Sequence, residues 1–168
     1  MWCSDRRAFV LGLAAFALAG CRFEPVYGPG GSGTALMGSV RADDPVSRAD
    51  FNFVAALEER LGRPVAPRYA LAYRITQRAV ETGVVRGIGA SRIQLRGQLD
   101  FTLTDQATGA QVAQGRVEAD SAYSTTSTQL ATLTAAEDAE LRLMRMLADG
   151  LVTRLMSEPG LRTGTGGA

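Results

Sequence analysis

The clearest periodicity in the chain lies between residues 92 and 104, which read RIQLRGQLDFTLT. Apolar side chains occupy alternate positions on one face of this stretch: Ile93, Leu95, Leu99, Phe101 and Leu103. Polar side chains occupy the opposite face, apart from Gly97 in the apolar row. Such alternation indicates a strand with one buried and one solvated face, which is typical of antiparallel sheets.

Two further strands are predicted on either side of this stretch. Residues 69–76 alternate in the same way, and the glycine-rich residues 81–90 predict a loop between the two strands. Residues 105–109 predict a hairpin connection with a glycine near its end. The return strand carries Val112 and changes phase at Gly115, which predicts a β-bulge at that glycine.

Two helices are predicted around these strands. Residues 50–61 carry an apolar stripe with a spacing of four, and Asp50 is positioned to cap this helix. Thr134 and Glu137 fit a capping box that would open a second helix reaching Met156 or Ser157. We expect the apolar face of residues 92–104 to contact residues 143–151 of this helix.

The order of these elements predicts the fold class. A short first strand is predicted over residues 36–42, which gives the order β-α-β-β-β-α. We therefore expect an α+β two-layer sandwich, with an approximately four-stranded, mostly antiparallel sheet and two helices on one face. This single domain would span residues 36–157, and residues 158–168 are predicted to form a disordered tail.

The N-terminus has the pattern of an exported lipoprotein. Arg6 and Arg7 precede an apolar run that ends in Leu-Ala-Gly-Cys at residues 18–21, which predicts a signal peptide over residues 1–20. These four residues match the bacterial lipobox, and the resemblance implies that the thiol of Cys21 receives a diacylglycerol and its amine an acyl chain. The apolar run is shorter than the roughly 20 residues of a membrane span. The two arginines fit either a general secretory or a twin-arginine signal.

Residues 21–35 are predicted to form a lipidated N-terminus and a flexible tether. Residues 29–34 are rich in glycine and serine, a composition that behaves as a flexible coil.

Composition excludes several classes of function. The chain has 18 basic residues, all arginine, against 17 acidic ones, and the signal peptide would remove two of the former and one of the latter. The remainder is then neutral, which argues against a nucleic-acid partner. No histidine is present, so neither a histidine metal site nor a serine–histidine pair can form. We expect no cofactor, no metal and no enzymatic activity.

The chain resembles the LptE family of outer-membrane lipoproteins, which assemble lipopolysaccharide. Residues 18–28, LAGCRFEPVYG, are similar to the opening L-A-G-C-G-F-x-P-L-Y-G of that family. The order of elements and the run of residues 123–139, with its Ala-Glu-Asp-Ala before a long amphipathic helix, agree with the resemblance. Arg22 departs from the usual glycine, but it is not the aspartate that retains lipoproteins in the inner membrane.

The resemblance implies a location, partners and a function. It implies a lipid anchor on the periplasmic side of the outer membrane of a Gram-negative cell. It also implies an LptD-type β-barrel partner, which the protein plugs and helps to assemble, and lipopolysaccharide, whose insertion in the outer leaflet it assists. A plug in a polar barrel lumen should have a polar outer surface.

Three arginines are candidate ligand-binding residues for lipopolysaccharide. Arg86, Arg92 and Arg96 lie close in sequence, and guanidinium groups bind phosphates such as those of lipid A. An ordinary solvated strand face is the alternative interpretation of these residues.

Two other functions remain open at this level. One is an auxiliary or substrate-binding lipoprotein of another envelope transporter. The other is a small periplasmic hydrolase that uses carboxylates, since Glu118 and Asp120 share one face of the return strand.

Overall fold

The computed structural model of the protein describes residues 31–85, 89–125, 128–158 and 161. Among these residues it contains three helices and four strands. In chain order they are α1 (Ser32–Leu36), β1 (Val40–Ala42), α2 (Arg48–Leu61), β2 (Tyr69–Val85), β3 (Gly89–Asp105), β4 (Gln111–Ser124) and α3 (Gln129–Met156). The predicted signal peptide and lipidated cysteine lie outside the described residues.

The strands form one sheet with the order β1-β2-β3-β4. β2, β3 and β4 are antiparallel neighbours, whereas β1 is parallel to β2 and pairs only with its first three residues. A parallel pair needs a crossover connection, and α2 provides it between β1 and β2. The predicted α+β class and the four-stranded, mostly antiparallel sheet are therefore confirmed.

Strands β2 and β3 are longer than the sequence pattern predicted. The predicted loop over residues 81–90 is wrong for most of its length, because β2 continues to Val85 and β3 begins at Gly89. Pairing continues through Val84↔Ala90 and Val85↔Gly89, which satisfies backbone groups that a loop would leave to water. Gly83 has a φ of +73°, a conformation that glycine adopts without strain.

The core lies between the sheet and the two long helices. Leu71, Leu99 and Leu103 are fully buried on the sheet side, and Leu143 and Leu147 are fully buried on α3. Each such leucine contributes about 1.5–3 kcal/mol relative to an exposed one. The predicted buried face of residues 92–104 is confirmed, although Ile93 and Leu95 are only half-buried.

Gly97 explains how closely α3 approaches β3. A Cβ atom at this position would lie 3.1 Å from the side chain of Leu143. The glycine in the apolar row therefore leaves room for a leucine of the facing helix, as expected for contact between β3 and residues 143–151.

Both long helices begin earlier than the sequence predicted. The side chain of Ser47 accepts a hydrogen bond from the Asp50 N–H, and the Asp50 carboxylate accepts one from the Ser47 N–H, so Asp50 is the third helical residue and not the cap. Thr128 caps α3 by accepting from the Ala131 N–H. The predicted capping box at Thr134 is wrong, because the Thr134 hydroxyl donates to the Leu130 carbonyl inside the helix.

The first strand is shorter than predicted. Leu36 ends the short helix α1 and is fully buried, and Gly38 turns the chain with a φ of +64°, so only residues 40–42 form the strand. Helix α1 also overlaps the end of the predicted tether. At the other terminus Leu161 is buried in the core, which differs from the predicted disordered tail.

The bulge in β4 lies nearer the hairpin than predicted. Thr104 pairs with Gln111 and Leu103 with Ala113, so the extra residue is Val112 and not Gly115. Gly115 instead lies opposite Phe101, whose ring would lie 3.4 Å from a Cβ atom at that position. The change of phase in the sequence is therefore caused by the bulge at Val112, whereas the glycine at position 115 makes room for the ring of Phe101.

The molecule has two distinct ends. At the entry end, where the described chain begins, Gly38 donates to the Leu61 carbonyl and Gln106 donates to the Arg68 carbonyl. We call the opposite end of β2 and β3 the arm, defined as residues 78–83 and 92–96, in which none of the side chains is fully buried. β4 continues beside β3 in the arm as far as Ser124. β2 has 17 residues, so it spans about 55 Å at the rise of an extended strand.

No helix within the described ranges combines the length and apolarity that crossing a membrane requires.

Candidate functional site

The sheet has one face that none of the described helices covers, and we call it the open face. It consists of the even-numbered side chains of β2 and β3 and the side chains of β4 that pair with them. They form five cross-strand rows toward the arm: Arg74–Asp100–Arg116, Thr76–Gln98–Glu118, Arg78–Arg96–Asp120, Val80–Gln94–Ala122 and Thr82–Arg92–Ser124. The open face is therefore polar along almost its full length, as the alternation of residues 92–104 predicted.

The row at Asp100 is electrostatically satisfied. Arg116 Nε lies 2.7 Å from one oxygen of Asp100, and Gln98 Nε2 donates to the other oxygen at 2.8 Å. The hydrogen bond from Arg116 is the largest cause that lowers the pKa of Asp100, followed by the hydrogen bond from Gln98. The nearby charges of Arg116 and Arg74 lower the pKa further. This carboxylate is held ionised by its neighbours and acts as an internal counter-ion.

The row at Arg96 has an excess of positive charge. Arg78 and Arg96 lie directly opposite each other on β2 and β3, where like charges are destabilising. Arg96 Nε lies 3.7 Å from the Asp120 carboxylate, a loose ion pair between exposed side chains. This row borders a depression of about 490 Å³ that also contacts Thr76, Gln98 and Glu118. Two guanidinium groups thus share one loosely held carboxylate, an arrangement suited to binding an anion.

Arg92 lies on the same face but in a separate row. It lies beside Thr82 and Ser124, and four residues of strand separate it from Arg96 by about 13 Å. A second depression of about 380 Å³ lies between Arg92 and Asp120. Arg86, the third predicted ligand-binding arginine, lies outside the described residues.

Arg78 was not predicted as a neighbour of Arg96. The strand was predicted to end at Thr76, so Arg78 fell in an undefined segment. The alternation of Arg74, Thr76 and Arg78 was the available signal, because these residues continue the period of two.

The open face also carries two carboxylates of β4. Glu118 and Asp120 share a face of β4 as predicted, but Asp120 is in an ion pair with Arg96. Across the described residues, no three or more histidine, cysteine or acidic side chains come together in a way that could hold a metal ion.

The chain matches the sequence model of a protein family. The sequence model of the LptE family, described as "Lipopolysaccharide-assembly", matches residues 38–155. The matched range begins just before β1 and ends one residue before the end of α3. No curated protein sequence matches the chain.

Comparison with solved structures gives several similar folds. A candidate lipoprotein from Caulobacter crescentus CB15 is 23% identical with a TM-score of 0.63, over 75% of this chain and 93% of that chain. The rare lipoprotein B from Shewanella oneidensis is 14% identical with a TM-score of 0.54, over 71% and 92%. A minor lipoprotein from Acinetobacter baumannii is 14% identical with a TM-score of 0.51, over 71% and 89%. At these identities the likeness concerns the fold.

Proposed function

Because the chain belongs to the LptE family of lipopolysaccharide-assembly proteins, we propose that it is an outer-membrane lipoprotein that plugs an LptD-type β-barrel. In this role it assists the assembly of the barrel and the insertion of lipopolysaccharide into the outer leaflet. The role is one of binding and positioning, and it requires no catalysis.

The open face is the observation that best supports the plug role. A protein inside a barrel contacts a lumen lined by polar side chains. The open face offers arginine, aspartate, glutamine and threonine side chains in regular rows along three strands. β2 is also longer than the roughly 25 Å apolar band of an outer-membrane barrel, so the sheet can follow the lumen through its depth.

Lipid attachment at Cys21 is part of the proposal and agrees with the proposed location. Gly31, where the described residues begin, lies ten positions after Cys21, so an extended connection would reach about 33 Å. The entry end of the domain would then face the membrane that holds the lipid, and the arm would point away from the anchor. Two or more acyl chains give stable attachment, whereas one chain gives a marginal one.

Arg92 and Arg96 are the proposed contacts for the phosphates of lipid A, with Arg86 as a third. Arg78 joins them because it lies opposite Arg96 and forms no ion pair with an acid among the described residues. Charge-assisted hydrogen bonds contribute about 1.5–3 kcal/mol each when shielded. At an exposed site they contribute less, about 0.2–1 kcal/mol.

Two measurements on one set of variants test this proposal. The variants are Arg78→Ala/Arg96→Ala, Arg92→Ala and the matched control Arg48→Ala, whose arginine is equally exposed on the helical layer and paired with Glu137 at 3.2 Å. The full chain is titrated with lipopolysaccharide in detergent, and the barrel is recovered with it from membranes. We expect the double variant to bind lipopolysaccharide more weakly than the control while the barrel is still recovered.

The outcomes separate the parts of the proposal. Equal lipopolysaccharide binding by all variants would remove the arginine site and leave the plug role. Failure to recover a barrel under conditions that preserve membrane complexes would remove the plug role, and an auxiliary lipoprotein of another transporter would take its place. A mature chain that begins elsewhere than Cys21, or carries no acyl chain by mass spectrometry, would remove the anchor.

A further inference from the structure

The outer edge of β2 is paired over only a small part of its length. β1 pairs with Tyr69, Ala70 and Leu71, and in the described part of the chain no strand continues beside β2 beyond them. The Tyr69 N–H donates to the Ser39 carbonyl, and the Leu71 carbonyl accepts from the Asp43 N–H, both on the outer side. Odd-numbered residues of β2 therefore direct their backbone groups to the outer edge, because direction alternates along a strand.

Five residues continue this pattern, and none of them pairs with a further strand among the described residues. The N–H and C=O groups of Tyr73, Ile75, Gln77, Ala79 and Glu81 point outward, whereas those of the even-numbered residues between them pair with β3. An unpaired edge of this length invites a further strand, and natural sheets usually protect such edges. Residues 72–82 contain no proline, and their register with β3 is continuous from Ala72↔Thr102 to Thr82↔Arg92, so neither a proline nor a bulge protects this edge.

The charge of the edge specifies the chemistry of an added strand. Arg74 and Arg78 are exposed on the open face of β2. The only acid beside Arg74 in its row is Asp100, which already binds Arg116, and the residue beside Arg78 is Arg96. On the opposite face the edge presents Ile75, Gln77 and Ala79, which are uncharged, and then Glu81 at its far end. An acid of the added strand therefore fits the face of Arg74 and Arg78 and not the face of Glu81. An incoming strand that fits would carry acidic side chains on one face and small or apolar ones on the other.

We propose that the free edge of β2 binds an extended acidic segment of a protein partner as an added strand. Acidic side chains of that segment lie beside Arg74 and Arg78, and its backbone pairs with the odd-numbered residues from Tyr73 to Glu81. Residues 21–30 of the chain itself fit less well, since they offer one acid, Glu24, next to Pro25, which has no N–H. A second copy would bring the same two arginines to the edge. The inference goes beyond the proposed function, because it concerns a backbone edge and needs no barrel.

A synthetic peptide tests the proposal. The probe is a nine-residue peptide of alternating glutamate and valine, and the control peptide has lysine in place of glutamate. With the full chain in detergent, we expect saturable binding of the glutamate peptide only, and binding that weakens as salt is added. Hydrogen exchange should slow at the amides of residues 73, 75, 77, 79 and 81 and change little at the even-numbered amides, which β3 already protects.

Two variants distinguish backbone pairing from simple charge attraction. Gln77→Pro removes an outward N–H but no hydrogen bond to β3, and Gln77→Val keeps the N–H. We expect roughly a tenfold loss of peptide affinity for the proline variant, the size of one to two lost hydrogen bonds, and little change for the valine variant. Arg74→Ala and Arg78→Ala should each weaken binding about twofold to fivefold.

A modified peptide covers the case in which Gln77→Pro does not fold. Two peptides are made, one N-methylated at its odd-numbered residues and the other at its even-numbered residues. The peptide whose methyl groups point toward β2 should not bind, and the other should bind like the unmodified peptide. Equal binding of both methylated peptides, or of the glutamate and lysine peptides, overturns the proposal. So does a dimer of the parent chain that Gln77→Pro dissociates, because the edge would then bind a second copy. The assay contains no barrel, so its result is independent of the barrel pull-down.

Discussion

At the scale of single residues, the most unusual group in the core is the hydroxyl of Tyr73. The ring lies 5.0 Å from that of Phe53, and the buried hydroxyl oxygen has no hydrogen-bond partner among the described residues. Burial raises the pKa of Tyr73 to about 12, and the charges of Asp50, Asp43 and Asp44 act in the same direction. A polar atom has therefore been removed from water without compensation, which costs stability.

Tyr73→Phe should accordingly leave the protein as stable as the parent or stabilise it by up to about 1 kcal/mol at neutral pH. Because the folded-state pKa is raised, the contribution of the protonated hydroxyl is fully present below the ordinary value of 10.0 and is lost as pH rises toward 12. The parent should lose stability between these values more steeply than the variant. Urea unfolding at pH 7 and pH 11 measures this, with Tyr123→Phe as control. A clear loss of stability at pH 7 would mean that the hydroxyl has a partner.

Asp105 shows the opposite case, a buried carboxylate whose two oxygens both accept hydrogen bonds. It accepts hydrogen bonds from the Ala107 and Thr108 N–H groups and lies 3.1 Å from Arg68 Nε. The backbone hydrogen bond from Ala107 is the largest cause of its lowered pKa, and Arg68 and Thr108 add to it. The sequence pattern predicted the turn at residues 105–109 but not the link to Arg68, because 37 residues separate Asp105 from Arg68.

Asp105→Asn should lower the melting temperature at pH 7 more than Asp149→Asn, which removes the acid of a more exposed ion pair with Arg60. Since the folded-state pKa of Asp105 is lowered, its stabilisation is complete above the ordinary value of 3.8 and is lost as pH falls through the lowered value. The melting temperatures of parent and Asp105→Asn should therefore converge in acid. Thermal unfolding from pH 7 to pH 2 measures this. A constant difference across that range would contradict the assignment.

At the scale of elements, the contact between α3 and β4 depends on a glycine inside a helix. A Cβ atom at Gly150 would lie 2.6 Å from Val117 Cγ1, closer than van der Waals contact allows. Valine has a stiff χ1 and cannot easily turn away. The glycine therefore sets the distance between the helix and the strand, although it lowers the intrinsic helix propensity.

Gly150→Ala tests which of these two effects is larger. Alanine gains about 1 kcal/mol of helix propensity, but overpacking costs about 1–3 kcal/mol, so we expect a net loss of stability. In a Val117→Ala background the obstructing methyl group is absent, and Gly150→Ala should then stabilise the protein. Urea unfolding of the four chains of this double-mutant cycle measures the coupling. Equal effects of Gly150→Ala in both backgrounds would contradict the contact.

Sequence periodicity predicted the existence of the long elements better than their ends. The period of two in residues 92–104 correctly assigned the buried face, because alternation is a property of the strand itself. The ends of β2 and β3 depend on pairing with each other, and the glycines at 83, 87 and 89 concealed that pairing. The start of α3 was missed for a related reason: Thr128 and Thr134 are both possible caps, and only the folded chain selects one.

At the scale of the whole molecule, the structure divides into a covered part of the sheet and the less buried arm. Leu99, Phe101 and Leu103 are buried beneath the helices, whereas the residues of the arm are half-buried or exposed. The sequence predicted the two layers, but the parallel pairing of β1 was not predicted. A strand of only three residues carries too little pattern to indicate whether it pairs in the parallel or the antiparallel direction. The pairing of Arg78 with Arg96 was not predicted either, because it depends on the register between β2 and β3.

The arm should open locally without unfolding of the domain. We expect the amides of Val80 and Thr82, which face β3, to exchange with solvent at least about tenfold faster than those of Ala70, Ala72 and Arg74. All five are paired with β3, so the difference would reflect burial and not the number of hydrogen bonds. Native-state hydrogen exchange measures this. Uniform protection along β2 would mean that the arm is as stable as the covered sheet.

The consecutive order β2-β3-β4-α3 has a consequence for the rate at which the protein folds. These four elements contact their neighbours in sequence, whereas the ion pairs between α2 and α3 join residues 89 positions apart. Closing a long loop costs more entropy than closing a hairpin. We therefore expect β2, β3, β4 and α3 to be structured in the folding transition state, and β1 and α2 to dock after it. Leu99→Ala should therefore slow refolding, and Phe53→Leu should mainly accelerate unfolding, as measured by stopped-flow chevron analysis. Slower refolding of both variants would place the crossover helix in the folding nucleus.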